Sequence, residues 1–286
     1  MSTVYDVAVV GSRGFLGSAV AAELERRGAH IGRFTKDHPY IVGGSLAAGA
    51  RAVVWAVGHV TPADPTRGDV AIGDLERLID AARRSGRAPH IVLLSSGGAV
   101  YGPPTHPPYR ESDETHPANE YGRIKLAEEQ LLADAELPHT VLRVANPYGR
   151  SPLSSGGEAF GGQGVVGHWL AAIRRGQPVT VFGDGSAERD FVFIDDAAAA
   201  IATAAERAPA GIINIGSGEG TSLARLLEVV TSAVAPSEVR VRREPPRGVD
   251  PASAWLDVSR AREALGWRAT TTLEVGIARS WAGVNA

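Results

Sequence analysis

The first pattern along the chain is a block of four apolar residues, Val7–Val10, followed by a glycine-rich turn and a helix-like stretch over Ser18–Arg27. A strand that is apolar at every position is covered on both faces, whereas a strand with one face in water alternates apolar and polar residues. The same texture returns at His30–Phe34, Ala52–Val57, His90–Leu94 and Thr140–Val144. Helix-like segments lie between most of these runs, at Asp74–Arg84 and Asn119–Ala135. Apolar strands alternating with helices predict an α/β fold built on a doubly wound parallel sheet. One step of the alternation is short. Between Thr35 and Arg51 there is no room for a helix and a strand, so the sheet is predicted to be abbreviated on that side.

After Asn146 the texture changes. Residues 150–167 are rich in Gly, Ser and Pro and read as a long surface loop of the kind that caps a site. Helix (Trp169–Arg174), short strands (Val179–Phe182, Phe191–Ile194), an Ala-rich helix after Asp195 and a strand at Ile212–Ile215 follow. The last seventy or so residues, with Pro245–Pro246 and a final helix over Leu273–Trp281, read as a second, smaller lobe.

Composition narrows the class. At 286 residues with 44% apolar and 21% charged, the chain has the make-up of a folded globular protein. Its net charge of −3 comes with no basic arm or stripe, which argues against nucleic acid as a partner. There is no cysteine, so disulfides, thiolate metal sites and cysteine nucleophiles are excluded, and a reducing compartment fits. No segment reaches the roughly 18 continuous apolar residues of a membrane span, and the N-terminus lacks the build of a signal peptide. The expected setting is the cytoplasm. The eight histidines are scattered without metal-ligand spacing, so no metal is expected.

Gly11-Ser12-Arg13-Gly14-Phe15-Leu16-Gly17 directly follows the first strand and opens a helix. Glycines at such a turn let the backbone approach a pyrophosphate and point helix N-terminal amides at it. Glycine turns are common. This one reads as a nucleotide site because it follows the first strand of a βα series, as in a Rossmann-type domain. An NAD site ends its second strand with an acid for the ribose hydroxyls. Here the strand runs Ile31-Gly32-Arg33-Phe34-Thr35-Lys36, with no acid before Asp37. Arg33, Lys36 and Arg13 are cations suited to a 2′-phosphate, so NADP(H) is preferred over NAD(H). The plainer alternative is that Arg33 and Lys36 solvate an exposed edge.

Tyr121-Gly122-Arg123-Ile124-Lys125 lies on the helix after the fourth strand, whose tail reads Ser95-Ser96-Gly97-Gly98-Ala99-Val100-Tyr101-Gly102. Positions i and i+4 share a helix face, so phenol and ammonium project together. A nearby ammonium favours the phenolate, and such a tyrosine can pass a proton to or from an oxygen while hydride moves.

With these motifs, Leu142-Arg143-Val144-Ala145-Asn146-Pro147-Tyr148-Gly149, Val181-Phe182-Gly183-Asp184-Gly185, Arg189-Asp190-Phe191-Val192, Asn214-Ile215-Gly216-Ser217-Gly218 and Leu265-Gly266-Trp267, the chain closely resembles the extended short-chain dehydrogenase/reductase family. The landmarks fall in the family's order over nearly the whole chain. The resemblance implies a Rossmann domain over residues 1–147 and 187–216, and a substrate lobe over 148–186 and 217–286. It implies a nucleotide-diphosphate sugar as partner and a homodimer paired through helices that include the Tyr–Lys helix. By the same resemblance Tyr121 is the acid/base and Lys125 its partner, which also holds the nicotinamide ribose. Asn146 contacts the sugar nucleotide, and Arg189 and Arg247 its diphosphate. Around Arg247 the sequence Pro-Pro-Arg-Gly-Val-Asp departs from the family's form. The plain alternative for Arg189 is a structural salt bridge with Asp190 or Asp195.

Departures from the family narrow the reaction. Its dehydratases and decarboxylases carry acids where this chain has Gly98 and Ala99, which transfer no proton. Epimerases acting through carbon acids add a Cys or His pair, and here His168 stands alone. Reduction of a 4-keto sugar and 4-epimerisation remain, and the cations favour the NADPH-dependent 4-ketoreductase of a 4-keto-6-deoxy sugar. A third departure points elsewhere. The family's catalytic Ser/Thr falls at Gly97, and losing one such donor costs about 3 kcal/mol. Ser96 or Thr61 is the candidate replacement. Without one, the chain is a catalytically weak protein that binds NADP or a nucleotide sugar.

Overall fold

The computed structural model describes residues 5–35, 41–42, 45–46, 49–58, 60–61, 64–86, 88–103, 105–151, 164–235, 237–246 and 252–282. The chain begins β1 (Val7–Val10), α1 (Phe15–Arg26), β2 (Ile31–Phe34), a two-residue pair β3 (Ile41–Val42) and β4 (Ser45–Leu46), then β5 (Ala52–Trp55). It continues α2 (Gly68–Arg84), β6 (His90–Ser96), α3 (Glu120–Asp134) and β7 (His139–Val144). The rest is β8 (Asn146–Tyr148), α4 (Val165–Arg174), β9 (Val179–Phe182), β10 (Glu188–Arg189), β11 (Phe191–Phe193), α5 (Ile194–Arg207), β12 (Gly211–Ile215), β13 (Thr221–Ser222), α6 (Leu223–Ala233), β14 (Val241–Glu244), β15 (Ser253–Ala254), α7 (Ser259–Leu265) and α8 (Leu273–Ala282).

Six of these strands form one parallel sheet in the order β12-β7-β6-β5-β1-β2. The apolar blocks are explained by its two covered faces. Val7 and Val9 enter one hydrophobic cluster with Leu24 of α1 and Ile201 of α5, and Ala8 and Val10 enter another with Leu78 of α2 and Leu132 of α3. The α/β, Rossmann-type doubly wound sheet expected from the pattern is the fold observed. The shortened step shows in the described residues: β2 is the sheet's edge, and between it and β5 the only described element is the antiparallel pairing of Ile41 with Leu46. The chain leaves β1 towards β2 and then returns to lay β5 on β1's other side. In sheets of this type ligands bind at the carboxyl ends of the strands where the order reverses in this way.

Several boundaries differ from the sequence pattern. α2 starts at Gly68 rather than Asp74, because Ala71 is buried against Val60 and Ile124 and extends the helix's inward face. β6 runs on to Ser96, paired with Val144. The loop read over 150–167 gives way to α4 at Val165, and residues 152–163 lie outside the described residues. Small pairings follow: β8 with β11, β9 with β14, and β10 between β13 and β15. No helix among the described residues is long and apolar enough to cross a membrane, and no group of His, Asp or Glu there is placed to hold a metal ion.

Candidate active site

The glycine loop follows β1 at that reversal. Gly11 has φ +86, a left-handed backbone that suits glycine, and a Cβ there would overlap the Ala56 carbonyl just past β5. A Cβ on Gly17 would overlap the carbonyl oxygen of Gly11, so the first turn of α1 lies directly on the loop. The amides of Gly11 and Ser12 and the Ser12 hydroxyl all donate to the Phe34 carbonyl, at 3.0, 3.2 and 3.1 Å, tying the loop to the end of β2. Gly14 is the N-cap of α1, no side chain caps it, and no acid stands in the first turn. Phe15 and Leu16 are half-buried there and Arg13 is exposed. Backbone amides and the helix dipole thus meet at this turn, an arrangement that favours an anion.

The cations of the NADP(H) argument are not all at that turn. Arg33 donates from Nε and Nη2 to the Glu25 carboxylate at 3.0 and 2.8 Å. Glu25 lies eleven residues past Gly14 (25 − 14), about 16 Å along α1 at 1.5 Å per residue. The guanidinium thus serves an exposed ion pair on the helix flank, closer to the plainer reading of that residue. Lys36 and Arg247 lie outside the described residues.

α3 supplies the second constellation. The Asn119 side chain accepts from the Gly122 amide at 2.9 Å and starts the helix. A Cβ on Gly122 would overlap the Ala99 carbonyl, so the first turn of α3 rests on the tail of β6 and carries Tyr121 to it. The Tyr121 ring packs with Val60, Ala71 and Ile124, and its hydroxyl makes no hydrogen bond among the described residues. One turn on, Lys125 is buried, its Nζ donating to Glu128 Oε2 at 2.8 Å and to the Leu94 carbonyl at 3.4 Å. Burial opposes the ammonium, but the Glu128 carboxylate and the Tyr121 oxygen outweigh it and hold the lysine above its ordinary range.

On the tail, Ser96 is half-buried, and its carbonyl accepts from the Ala99 and Val100 amides while its hydroxyl makes no hydrogen bond among the described residues. Thr61 Oγ1 instead accepts from the Asp64 amide in a turn, at 3.0 Å. Asn146 donates from its backbone and side chain to the Asp190 carbonyl at 3.0 and 2.9 Å, with its amide group beside Gly98. Arg189 donates to the Glu188 carbonyl at 2.7 Å. The two acids considered as its salt-bridge partners are engaged by other groups. Asp190 accepts from Ser217 and from the amides of Gly218 and Leu256, and Asp195 is taken by Arg279.

The sequence pattern missed a buried polar group behind this tail. Glu129 accepts from Arg143 Nη2 at 2.7 Å and from the Ser95 hydroxyl, and Arg143 Nη1 donates to the Tyr101 hydroxyl at 2.8 Å. That hydroxyl in turn donates to Asn214 Oδ1 at 3.0 Å, and burial pushes the Tyr101 phenol up to about 12. The available signal was an arginine inside an apolar strand, which must meet a carboxylate or pay for desolvation unaided. A cleft of about 470 Å³ opens above the group, lined by Asp113, His116, Leu126, Glu129, Gln130 and Arg143, and none of the candidate site residues lines it.

Comparison with known proteins agrees with this arrangement. Residues 46–216 match the model of the NAD dependent epimerase/dehydratase family. The chain is 37% identical to a UDP-glucose 4-epimerase of Mycolicibacterium smegmatis over 71% of its own length and 64% of the relative's, so it spans less than two thirds of that protein. It is 27% identical to a dTDP-6-deoxy-L-talose 4-dehydrogenase (NAD(P)(+)) of Kitasatospora kifunensis over 96% of this chain and 94% of the other. A crystal structure of the Thermus thermophilus UDP-glucose 4-epimerase in complex with NAD superposes with a TM-score of 0.81 at 26% identity, covering 98% and 99% of the two chains. Fold, motif order and family match converge, and the chain belongs to the NAD-dependent epimerase/dehydratase family, the extended short-chain dehydrogenases/reductases.

Proposed function

We propose that this chain is an NAD(P)-dependent enzyme acting on nucleotide-diphosphate sugars, and specifically an NADPH-dependent 4-ketoreductase of a 4-keto-6-deoxy sugar. The observation that carries the reading is the placement of Tyr121 and Lys125 on the β6 tail, where positions 98 and 99 offer no other side chain able to move a proton. Chemistry confined to a hydride and one phenol is ketone reduction, its reverse, or the two in succession, as in 4-epimerisation. The match to a 4-dehydrogenase over nearly both full lengths supports it.

When bound, the nicotinamide cofactor supplies the hydride for the C4 carbon. Gly11, Gly14 and Gly17 with the amides of Phe15 and Leu16 hold its pyrophosphate, and Arg13 and Lys36 face a 2′-phosphate in the NADPH reading. Lys125 binds the nicotinamide ribose. Tyr121 gives its hydroxyl proton to the C4 oxygen, and Ser96, at the end of β6, supplies the assisting hydroxyl. Asn146 contacts the sugar, while Arg189 and Arg247 hold the diphosphate across the boundary between a Rossmann domain (1–147, 187–216) and a substrate lobe (148–186, 217–286). The enzyme works as a homodimer.

A second reading, the 4-epimerase, is favoured by the 37% identical relative and by the engagement of Arg33 with Glu25, which weakens the case for NADPH. One experiment separates them. A ketoreductase given a dTDP-4-keto-6-deoxy sugar consumes NADPH stoichiometrically, and Tyr121→Phe lowers turnover by about 10²–10⁴-fold. Interconversion of UDP-glucose and UDP-galactose with no net change in nicotinamide absorbance establishes the epimerase instead. Absence of both activities overturns the nucleotide-sugar reading.

A further inference from the structure

The inward face of α3 carries three charged residues where a helix against a sheet ordinarily presents apolar ones: Lys125, Glu128 and Glu129 are all buried. Glu129 is accounted for by Arg143 and Ser95. Glu128 is not. Its side chain is 2% exposed, and its one hydrogen-bond partner among the described residues is the Lys125 ammonium. A carboxylate is retained in such a place at considerable desolvation cost, and the pair replaces what a leucine would do more cheaply. Tyr121, Lys125 and Glu128 stand at i, i+4 and i+7, along one stripe of the helix.

We infer that Glu128 is a positioning residue that seats the Lys125 ammonium for its work beside Tyr121. An ammonium has three donors on a flexible four-carbon stem. Glu128 and the Leu94 carbonyl take two of them from the protein side, which leaves one donor and a fixed nitrogen for a hydroxyl of the nicotinamide ribose. Without the carboxylate the stem regains its rotamers, and the charge that acts on the phenol is no longer held one turn away. The inference rests on the proposed role of Lys125 and assigns Glu128 no contact with cofactor or sugar.

The test is Glu128→Gln, which keeps shape and an acceptor oxygen but removes the charge, together with Glu128→Leu and Lys125→Met. Expected for Glu128→Gln is a fall in kcat of roughly 10-fold to 100-fold with the KM for sugar unchanged, the range for a misplaced catalytic group. The cofactor Kd, measured by fluorescence without any sugar, should weaken, and more in Glu128→Leu than in Glu128→Gln. In the Lys125→Met background, Glu128→Gln should add little, because the residue acts through that lysine. Wild-type kcat and cofactor Kd in Glu128→Gln, or losses that multiply fully with Lys125→Met, overturn the inference. Should no sugar be turned over, the ketoreductase reading fails while the cofactor Kd still decides the role of Glu128. If Glu128→Leu does not fold, Glu128→Gln carries the comparison, and a wild-type chain that binds neither NADPH nor NADH overturns both.

Discussion

Leu256 occupies the space into which any side chain at position 97 would have to grow. A Cβ placed on Gly97 would lie 2.6 and 3.0 Å from the two δ-methyls of Leu256 and 3.1 Å from the Arg143 carbonyl. Leu256 is itself held, since its amide donates to Asp190 at 3.3 Å and its segment bridges to Tyr109. The family's hydroxyl is therefore not merely missing at this position; the adjoining wall is filled with hydrocarbon.

Restoring the hydroxyl alone should consequently fail. Gly97→Ser overpacks a filled site and is expected to lower stability by about 1–3 kcal/mol in urea unfolding. Gly97→Ser/Leu256→Ala gives the serine room, and its kcat should exceed that of Leu256→Ala alone. Equal turnover in those two variants means that position 97 contributes no hydroxyl to the chemistry in this chain.

Gly17→Ala tests the nucleotide seat. The added methyl would overlap the Gly11 carbonyl and approach the Ala56 Cβ at 3.3 Å, so α1 must lift off the loop. Because backbone rather than a flexible side-chain end is in the way, the shift falls on the anion seat itself. The expected outcome is loss of the thermal stabilisation that NADPH or NADH gives the wild-type chain, which is RT ln(1 + [L]/Kd) and vanishes as Kd rises. A variant still stabilised by cofactor to the same extent would place the dinucleotide elsewhere.

The sheet was legible in the sequence because its strands are covered on both faces, and a block such as Val7–Val10 fits a buried strand better than any solvent-facing element. The short step after β2 was legible by length alone. Helix starts were less so: the first turn of α2 contains Gly68 and the exposed Val70, and only the packing of Ala71 draws it in. Tyr121 and Lys125 could be found by spacing, since one helix carries both. The Arg33 pair with Glu25 could not, because it depends on how far α1 reaches along the edge strand. Glu128 was invisible for a different reason, as a Glu beside another Glu on a helix ordinarily reads as solvated surface.

The Glu129–Arg143 pair should behave as a buried ion pair. Both side chains are 5% exposed or less and share three contacts of 2.7–3.2 Å. Glu129→Ala leaves a guanidinium uncompensated and is expected to cost about 3–5 kcal/mol, with little dependence on salt because the pair is shielded from mobile ions. The double replacement Glu129→Leu/Arg143→Met should recover most of that loss. Unfolding midpoints in urea at low and high salt give the comparison, and additive losses in the double variant would show that the two residues are not coupled.

His90 sets an acid limit on stability. Its Nε2 lies 2.7 Å from Thr140 Oγ1, whose single proton goes to the Pro209 carbonyl, so the histidine must be the donor, with its proton on Nε2. Burial, and then the neighbouring His139, push its pKa below the ordinary value. The unfolded chain takes up the extra proton near pH ~6.5, and the folded chain resists it until lower pH. Between those two values the unfolded state binds more protons, so stability rises with pH there and is lost as pH falls. His90→Gln keeps a donor for Thr140 without the titration, so its urea midpoint should fall less between pH 7.5 and pH 5 than the wild-type midpoint does. Parallel slopes in the two chains would assign the acid loss to other groups.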